Sequence, residues 1–161
     1  MRSLSIGIAV WTVMGAAAAA ATADKPTTPI GQFIDSFNKG DMKSAAAAYA
    51  ATDLAIIDEV PPHLWRGPGA FQAWSADLAS DAQKRGFTEP KVTIANPTRQ
   101  EVNGDRAYVV APAVYTYKDH GVAMREPAEM TFALQHEAGG WRISGWTWSG
   151  MNPQAVTTAK P

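Results

Sequence analysis

The chain has 161 residues, a net charge of -1 and no cysteine. Its 14 basic and 15 acidic side chains form no clustered Lys/Arg face, which excludes the electrostatic footprint of a nucleic-acid-binding domain. Without thiols there are no disulfides, no thiol nucleophile and no cysteine-ligated metal, and the length suits one domain rather than two.

The chain opens with Arg2, an apolar run from Leu4 to Ala20, and the small-x-small step Ala21-Thr22-Ala23 before Asp24. This is the pattern of a cleaved signal peptide, with cleavage expected after Ala23 and the mature protein periplasmic or secreted. The alternative is an anchor that is retained, since roughly 17 apolar residues sit at the lower limit of a spanning helix. Once the leader is removed, no stable membrane span is expected. Residues 24–28 read as a linker.

Thr28 with Pro29 reads as an N-cap followed by the first helical position, and Ile30, Phe33, Ile34 and Phe37 recur at helical spacing until Gly40. Asp41 is placed to cap a second helix through the alanine run to Tyr49, whose residues favour a helix and carry no chemistry. Leu54, Ile56, Ile57 and Val60 form a short β-branched strand that Pro61-Pro62 must end. A third helix follows Gly67-Pro68-Gly69, with Phe71, Trp74 and Leu78 inward, Lys84 and Arg85 in the last turn, and Gly86 as the stop.

The period then changes from helical to alternating. Val92 and Ile94 alternate with Lys91 and Thr93, and Asn103-Gly104 is a strong hairpin signal after Arg99 to Val102. Three further strands are expected over Asp105 to Lys118, Val122 to Gln135 and Trp141 to Ser149, making a four-stranded antiparallel meander. Pro112 and Pro127, inside long strands, call for bulges, edges or sharp bending. The tail from 151 to 161 shows no periodic pattern and is expected to be disordered.

The order helix-helix-strand-helix-meander, with Phe33-Ile34-Asp35-Ser36-Phe37-Asn38-Lys39-Gly40-Asp41 near the start and Gly140-Trp141-Arg142-Ile143 to Trp148-Ser149 at the end, resembles the nuclear transport factor 2-like superfamily over roughly Thr28 to Gly150. Ile57-Asp58-Glu59-Val60-Pro61-Pro62-His63-Leu64-Trp65-Arg66-Gly67-Pro68 is similar to a SnoaL-like branch of uncharacterised secreted bacterial proteins. The resemblance implies an α+β domain over 29–150: a cone-shaped, curved antiparallel sheet packed against three N-terminal helices, of the cystatin-like kind. It also implies a homodimer. It does not choose among enzymes, binding modules and oligomerisation domains, so function rests on the site.

Asp58 shares strand parity with Ile56, so its carboxyl can enter the cavity, where desolvation would raise its pKa. Aligned with the ketosteroid isomerases of the superfamily, it falls on the segment that ends in their general base, which makes it a candidate proton shuttle. The competing structural role is that Asp58 or Glu59 caps the turn at Pro61 or pairs with Arg66. The isomerases' oxyanion-donor tyrosine falls at Phe33, which has no hydroxyl. The strand of their second acid holds Ala128, Met130 and Phe132 on its inward parity, with only Glu126 nearby on the same parity before Pro127. Lacking two polarising donors, steroid isomerisation is not expected.

His63, in the loop at the pocket mouth, is a candidate carboxylate partner of Asp58 or a surface residue. No histidine spacing suggests a metal, and no cofactor is expected. Trp65, Trp74, Tyr115, Tyr117, Met130, Trp146 and Trp148 are candidate pocket walls for a small hydrophobic or partly polar organic ligand, with core packing the competing account of Trp74 on its helical stripe. Arg125 with Glu126 reads as a weak acid-binding pair or a surface ion pair.

Three functions follow: an exported small-molecule-binding domain, a cofactor-independent isomerase, dehydratase or cyclase with Asp58 as general base, or an oligomerisation module whose pocket is vestigial.

Overall fold

A computed structural model describes residues 24–157. The leader expected over 1–23 lies outside these residues, as do residues 158–161. Among the described residues no helix is long and apolar enough to cross a membrane.

Three helices come first: α1 (Thr27–Asn38), α2 (Met42–Ala46) and, after a hairpin of β1 (Ala55–Ile57) and β2 (Leu64–Arg66), α3 (Ala70–Arg85). Helix α1 starts one residue before Thr28, with Pro26 at its cap position and no side-chain cap bond. Its apolar stripe is as expected: Ile30, Phe33 and Ile34 are buried. Asp41 caps α2 by accepting from the Ser44 N–H at 3.0 Å. The alanine run leaves the helix after Ala46, because Ala50 N–H donates to Ile143 O and Ala48 O accepts from Ile143 N–H instead of continuing the spiral. Gly86 ends α3 in the left-handed region at φ 72°.

The rest is strand: β3 (Phe87–Ile94), β4 (Arg99–Asn103), β5 (Arg106–Asp119), β6 (Val122–Glu137), β7 (Gly140–Gly150) and β8 (Gln154–Ala155). The sheet is larger than a four-stranded meander and is mixed. Its order is β2-β1-β7-β6-β5-β3, with β4 on β5 beyond β3, β8 on β6, and β1 parallel to β7. Where β1 crosses β7 the backbones come so close that a Cβ on Gly145 would lie 2.9 Å from the Ala55 carbonyl oxygen. The tail expected to lack structure contributes β8, pairing Met124 with Ala155 and Arg125 with Gln154.

Neither internal proline makes a bulge against β6 or β5, because β5 and β6 pair without a register shift. In a strand the N and O of one residue point to the same edge, so each proline's carbonyl shows where its missing N–H would have been needed. Pro112 O accepts from Ala95 in the gap between β3 and β4, and Pro127 O accepts from Met151 in the gap between β7 and β8. Each proline therefore faces a break in the neighbouring strand, the second of the expected alternatives. Bulges occur elsewhere: at Glu89-Pro90 in β3 and at Ser144 in β7.

One face of the sheet packs on the helices. Its rows run Ile56–Trp146–Phe132–Val109 and Trp148–Met130–Ala111, and beyond them Gly150–Ala128–Ala113 and Glu126–Tyr115–Val92. The first row is sealed by Phe33, Tyr49, Phe71 and Trp74. Phe33 is stacked on Trp146 at 5.9 Å, and Trp74 meets Trp146 edge-on at 5.1 Å. Such pairs add about 0.5–1.5 kcal/mol each beyond area burial. The third row is small, and beside it Met130 and Trp148 of the second row and Tyr115 and Val92 of the fourth face a gap between the helix layer and the sheet.

Candidate functional site

The gap is a cavity of about 70 Å³ between α1, α3 and the sheet, open at one side. Phe33, Phe37, Trp74, Tyr115, Trp146 and Trp148 supply its aromatic walls, and Asp58, Glu59, Asp81 and Arg85 its charged groups. A second, larger hollow of about 500 Å³ shares Phe37, Trp74, Leu78, Ala82 and Tyr115 with it and reaches the Glu89-Pro90 bulge. Their common wall is held by Asn38, whose side-chain amide donates to Val92 O and accepts from Val92 N–H, both at 2.8 Å.

Asp58 arrives where the sequence pattern puts it. Ile56 is buried and Ile57 is exposed, so Asp58, back on the parity of Ile56, turns inward. Its Oδ2 accepts from Trp74 Nε1 at 2.6 Å and its Oδ1 from the Glu59 backbone N–H at 2.6 Å. Burial raises its pKa, and the bond from Trp74 opposes that rise.

Two further carboxyls complete this end of the cavity. Glu126 is 1 % exposed in the middle of β6 and accepts from Trp148 Nε1 at 2.9 Å. Glu59 reaches the same place from the turn after β1. A Cβ on Gly150 would collide with Glu126 Oε1 and stand 2.9 Å from Glu59 Oε2, so the two carboxyl groups occupy the space a side chain at 150 would need. The small Ala128 beside it keeps that space open. Desolvation first, and then the neighbouring Glu126 charge, push Glu59 up to about 7, and burial raises Glu126 as well. Like charges this close share a proton, so near neutrality one carboxyl is a donor and its partner an acceptor.

The remaining sequence candidates divide. Trp74, Tyr115, Met130 and Trp146 line the cavity with Asp58. Trp65 is buried in β2 but does not line it, because its indole donates to Asp77 on α3 at 2.8 Å and fixes the ring away from the opening. Tyr117 is also buried to one side, stacked on Tyr115 at 4.9 Å and against Phe87 at 4.4 Å. His63 holds φ 73° in the turn, and its Nδ1 faces the Asp58 backbone carbonyl at 3.2 Å, not the carboxylate. Of the two alternatives for His63 the structure gives the surface residue and not the carboxylate partner, and Trp74 bonds the carboxylate instead. Arg125 and Glu126 form neither an ion pair nor an anion site: Arg125 is exposed on the other face while Glu126 is inside. Phe33 is a wall residue without a hydroxyl, as expected.

Sequence reasoning gave Glu59 only a role in the turn and gave Glu126, although on the inward parity, no part in the site, whereas Trp148 was among the rings expected to line the cavity and does so. The parity of β6 carried the signal, since Glu126 is in step with Ala128, Met130 and Phe132. Among the described residues no group of His, Asp and Glu side chains is arranged to hold a metal ion.

The family model described as a SnoaL-like domain matches residues 28–153. No curated protein matches the chain. Solved structures with a similar fold include a nuclear transport factor 2-like superfamily protein from Salmonella enterica, with 18% identity, TM-score 0.63, and coverage of 83% of this chain and 94% of that one. A ketosteroid isomerase-like protein from Erwinia carotovora has 18% identity and TM-score 0.59, covering 78% and 92%. A hexachlorocyclohexane dehydrochlorinase, LinA type 2, has 16% identity and TM-score 0.65, covering 83% and 89%. At these identities the likeness is one of fold, while the family match covers most of the chain. The chain belongs to the SnoaL-like domain family and has the fold of nuclear transport factor 2-like proteins.

Proposed function

We propose that this chain is an exported small-molecule-binding domain whose ligand, hydrophobic or partly polar, sits in the cavity between α1, α3 and the sheet. The observation that carries the reading is the wall composition: aromatic rings on several sides with the Asp58 and Glu59 carboxyls at one end. Apolar walls with a few placed polar groups are the usual makeup of a ligand pocket. On this reading the leader is removed after Ala23 and the mature domain works as a homodimer outside the cytoplasm.

Three indoles line the cavity, so an occupant changes tryptophan emission. Native mass spectrometry of protein purified from its own compartment should show a retained small molecule, lost together with the emission change on denaturation. Apo protein that also fails to respond to any aromatic fragment at millimolar concentration would count against a receptor.

One observation favours a second reading, a cofactor-independent isomerase or dehydratase: burial raises the Asp58 carboxyl toward the range of a general base. Asp58→Asn keeps the shape and one of the two bonds, from Trp74 or from Glu59 N–H, while removing the base. Turnover lost with binding retained would support catalysis; turnover unchanged would end it.

A further inference from the structure

The cavity has many acceptors and few free donors. Of its three indole N–H groups, Trp74 donates to Asp58, Trp148 to Glu126, and Trp146 to the Tyr49 hydroxyl at 2.8 Å. The Arg85 guanidinium is turned to Asp81 at 3.3 Å and lies over the Phe87 ring at 4.4 Å. Among the lining side chains described, the donors left over are the Tyr115 hydroxyl and the Arg85 N–H groups not turned to Asp81. Against these stand the carboxyls of Asp58, Glu59 and Asp81 on the wall and Glu126 behind them, four acids to one guanidinium. Each oxygen of Asp58 takes a single N–H and keeps a lone pair free.

A ligand acceptor or anion entering at the Asp58–Glu59 end would meet carboxylates, with only the half-exposed Arg85, already turned to Asp81, as a cation to bind it. An ammonium would meet both carboxylate lone pairs and aromatic faces, whose negative quadrupoles attract a desolvated cation. The protein already makes this contact with its own cation, in Arg85 over Phe87.

We infer that the pocket takes a small organic cation, a primary or secondary amine on an apolar body, with the ammonium at Asp58 and Glu59 and the body among Trp74, Tyr115, Trp146 and Trp148. This deepens the binding reading and rests on it. The groups facing Glu59 are Asp58 on the same turn, Glu126 on β6, Arg85 and Asp81 on α3, and Tyr115 and Tyr117 on β5. A cation seated there ionises the Glu59–Glu126 pair and releases the shared proton. Affinity then rises with pH and levels off once the pair is ionised without help. With Glu59 at about 7, the gain from pH 6 to pH 8 is about tenfold.

The test is calorimetric titration of the wild-type domain with three probes of one shape: benzylammonium, benzyl alcohol and benzoate. Benzylammonium should bind at least tenfold more tightly than the other two. Its enthalpy at pH 6.5 should differ between buffers of low and high ionisation heat, marking proton release. Glu59→Gln should remove both the proton release and the pH dependence. Benzyl alcohol or benzoate binding as tightly as benzylammonium overturns the cation inference and leaves a receptor. Binding of none of the three overturns both. Benzylammonium binding without proton release places the ammonium away from Glu59 and overturns the site.

Discussion

Gly150→Ala is a change that general rules expect to be harmless or helpful. The residue is exposed at the end of β7, and a glycine whose backbone suits alanine usually gains about 0.4–1 kcal/mol on substitution, because the unfolded chain loses freedom. Here the sign should reverse. The new methyl would overlap Glu126 Oε1 and press on Trp148 Nε1 at 2.8 Å and Glu59 Oε2 at 2.9 Å. Glu59 can swing out on its solvent-exposed turn. Glu126 cannot, since it is buried in the middle of β6 and tied to Trp148. Overpacking of this kind costs about 1–3 kcal/mol, and moving Glu126 off its indole donor adds the cost of a buried charged acceptor left short, about 1–3 kcal/mol more if complete. A net loss of about 2 kcal/mol is expected after the unfolded-state gain is subtracted. Gly31→Ala in α1, where a Cβ meets nothing within 4 Å, is the matched control and should stabilise by about 0.5–1 kcal/mol. Urea denaturation of the three proteins at pH 7, with equal slopes, measures both. If Gly150→Ala proves as stabilising as Gly31→Ala, the carboxyl pair does not occupy the space over Gly150.

The same pair predicts how stability depends on pH. Glu59 rises from an ordinary 4.5 to about 7 in the fold, so the folded state holds its proton more tightly; its contribution is full below about 4.5 and is lost as pH rises through 7. The full displacement corresponds to roughly 3.4 kcal/mol, which solvent screening at this accessible carboxyl cuts to about 1–2 kcal/mol; Glu59→Gln should lack that part of the decline between pH 5 and 8 in denaturant midpoints. Asn38→Ala strands the Val92 N–H and carbonyl together and should cost about 1–3 kcal/mol, with hydrogen exchange at Val92 accelerating more than in β6. His63→Ala should shift the denaturation midpoint by no more than about 0.5 kcal/mol and leave probe affinity unchanged, because its ring meets only a backbone carbonyl at the surface; a tenfold loss of affinity would restore it to the site.

Much of the architecture was legible because it depends on period. The stripe of Ile30, Phe33, Ile34 and Phe37, the Asp41 cap, the Gly86 stop and the alternation through β5, β6 and β7 are local patterns with local causes. Features that depend on distant partners were not legible. The alanine run promises a long second helix by propensity, yet Ala48 and Ala50 are claimed by Ile143, nearly a hundred positions on. Strand β2 is only Leu64–Arg66 and is made by pairing with β1, not by any run of its own. Gln154–Ala155 has no pattern to show because it borrows its register from Met124 and Arg125. Pro112 and Pro127 signalled an interruption correctly, but only the positions of β3, β4, β7 and β8 reveal that it lies in their neighbours.

The site divides in the same way. Asp58 could be placed by parity with Ile56, since one strand fixes which way it points. The partner of its carboxylate could not: His63 is near in sequence, but the loop's left-handed backbone carries the ring to a carbonyl, and Trp74 on a separate helix takes the carboxylate. Glu126 shows why a charge in an alternating strand is easily misread. Beside Arg125 it looks like half of a surface pair, yet adjacent strand residues face opposite sides, so the two can never share a face. A charge on the apolar parity must be neutralised or supplied with donors, and the fold does both, through Trp148 and through the proton held with Glu59. That requirement explains the small residues at 128 and 150, and it makes the acidic end of the cavity part of what holds the sheet together as well as what a ligand would meet.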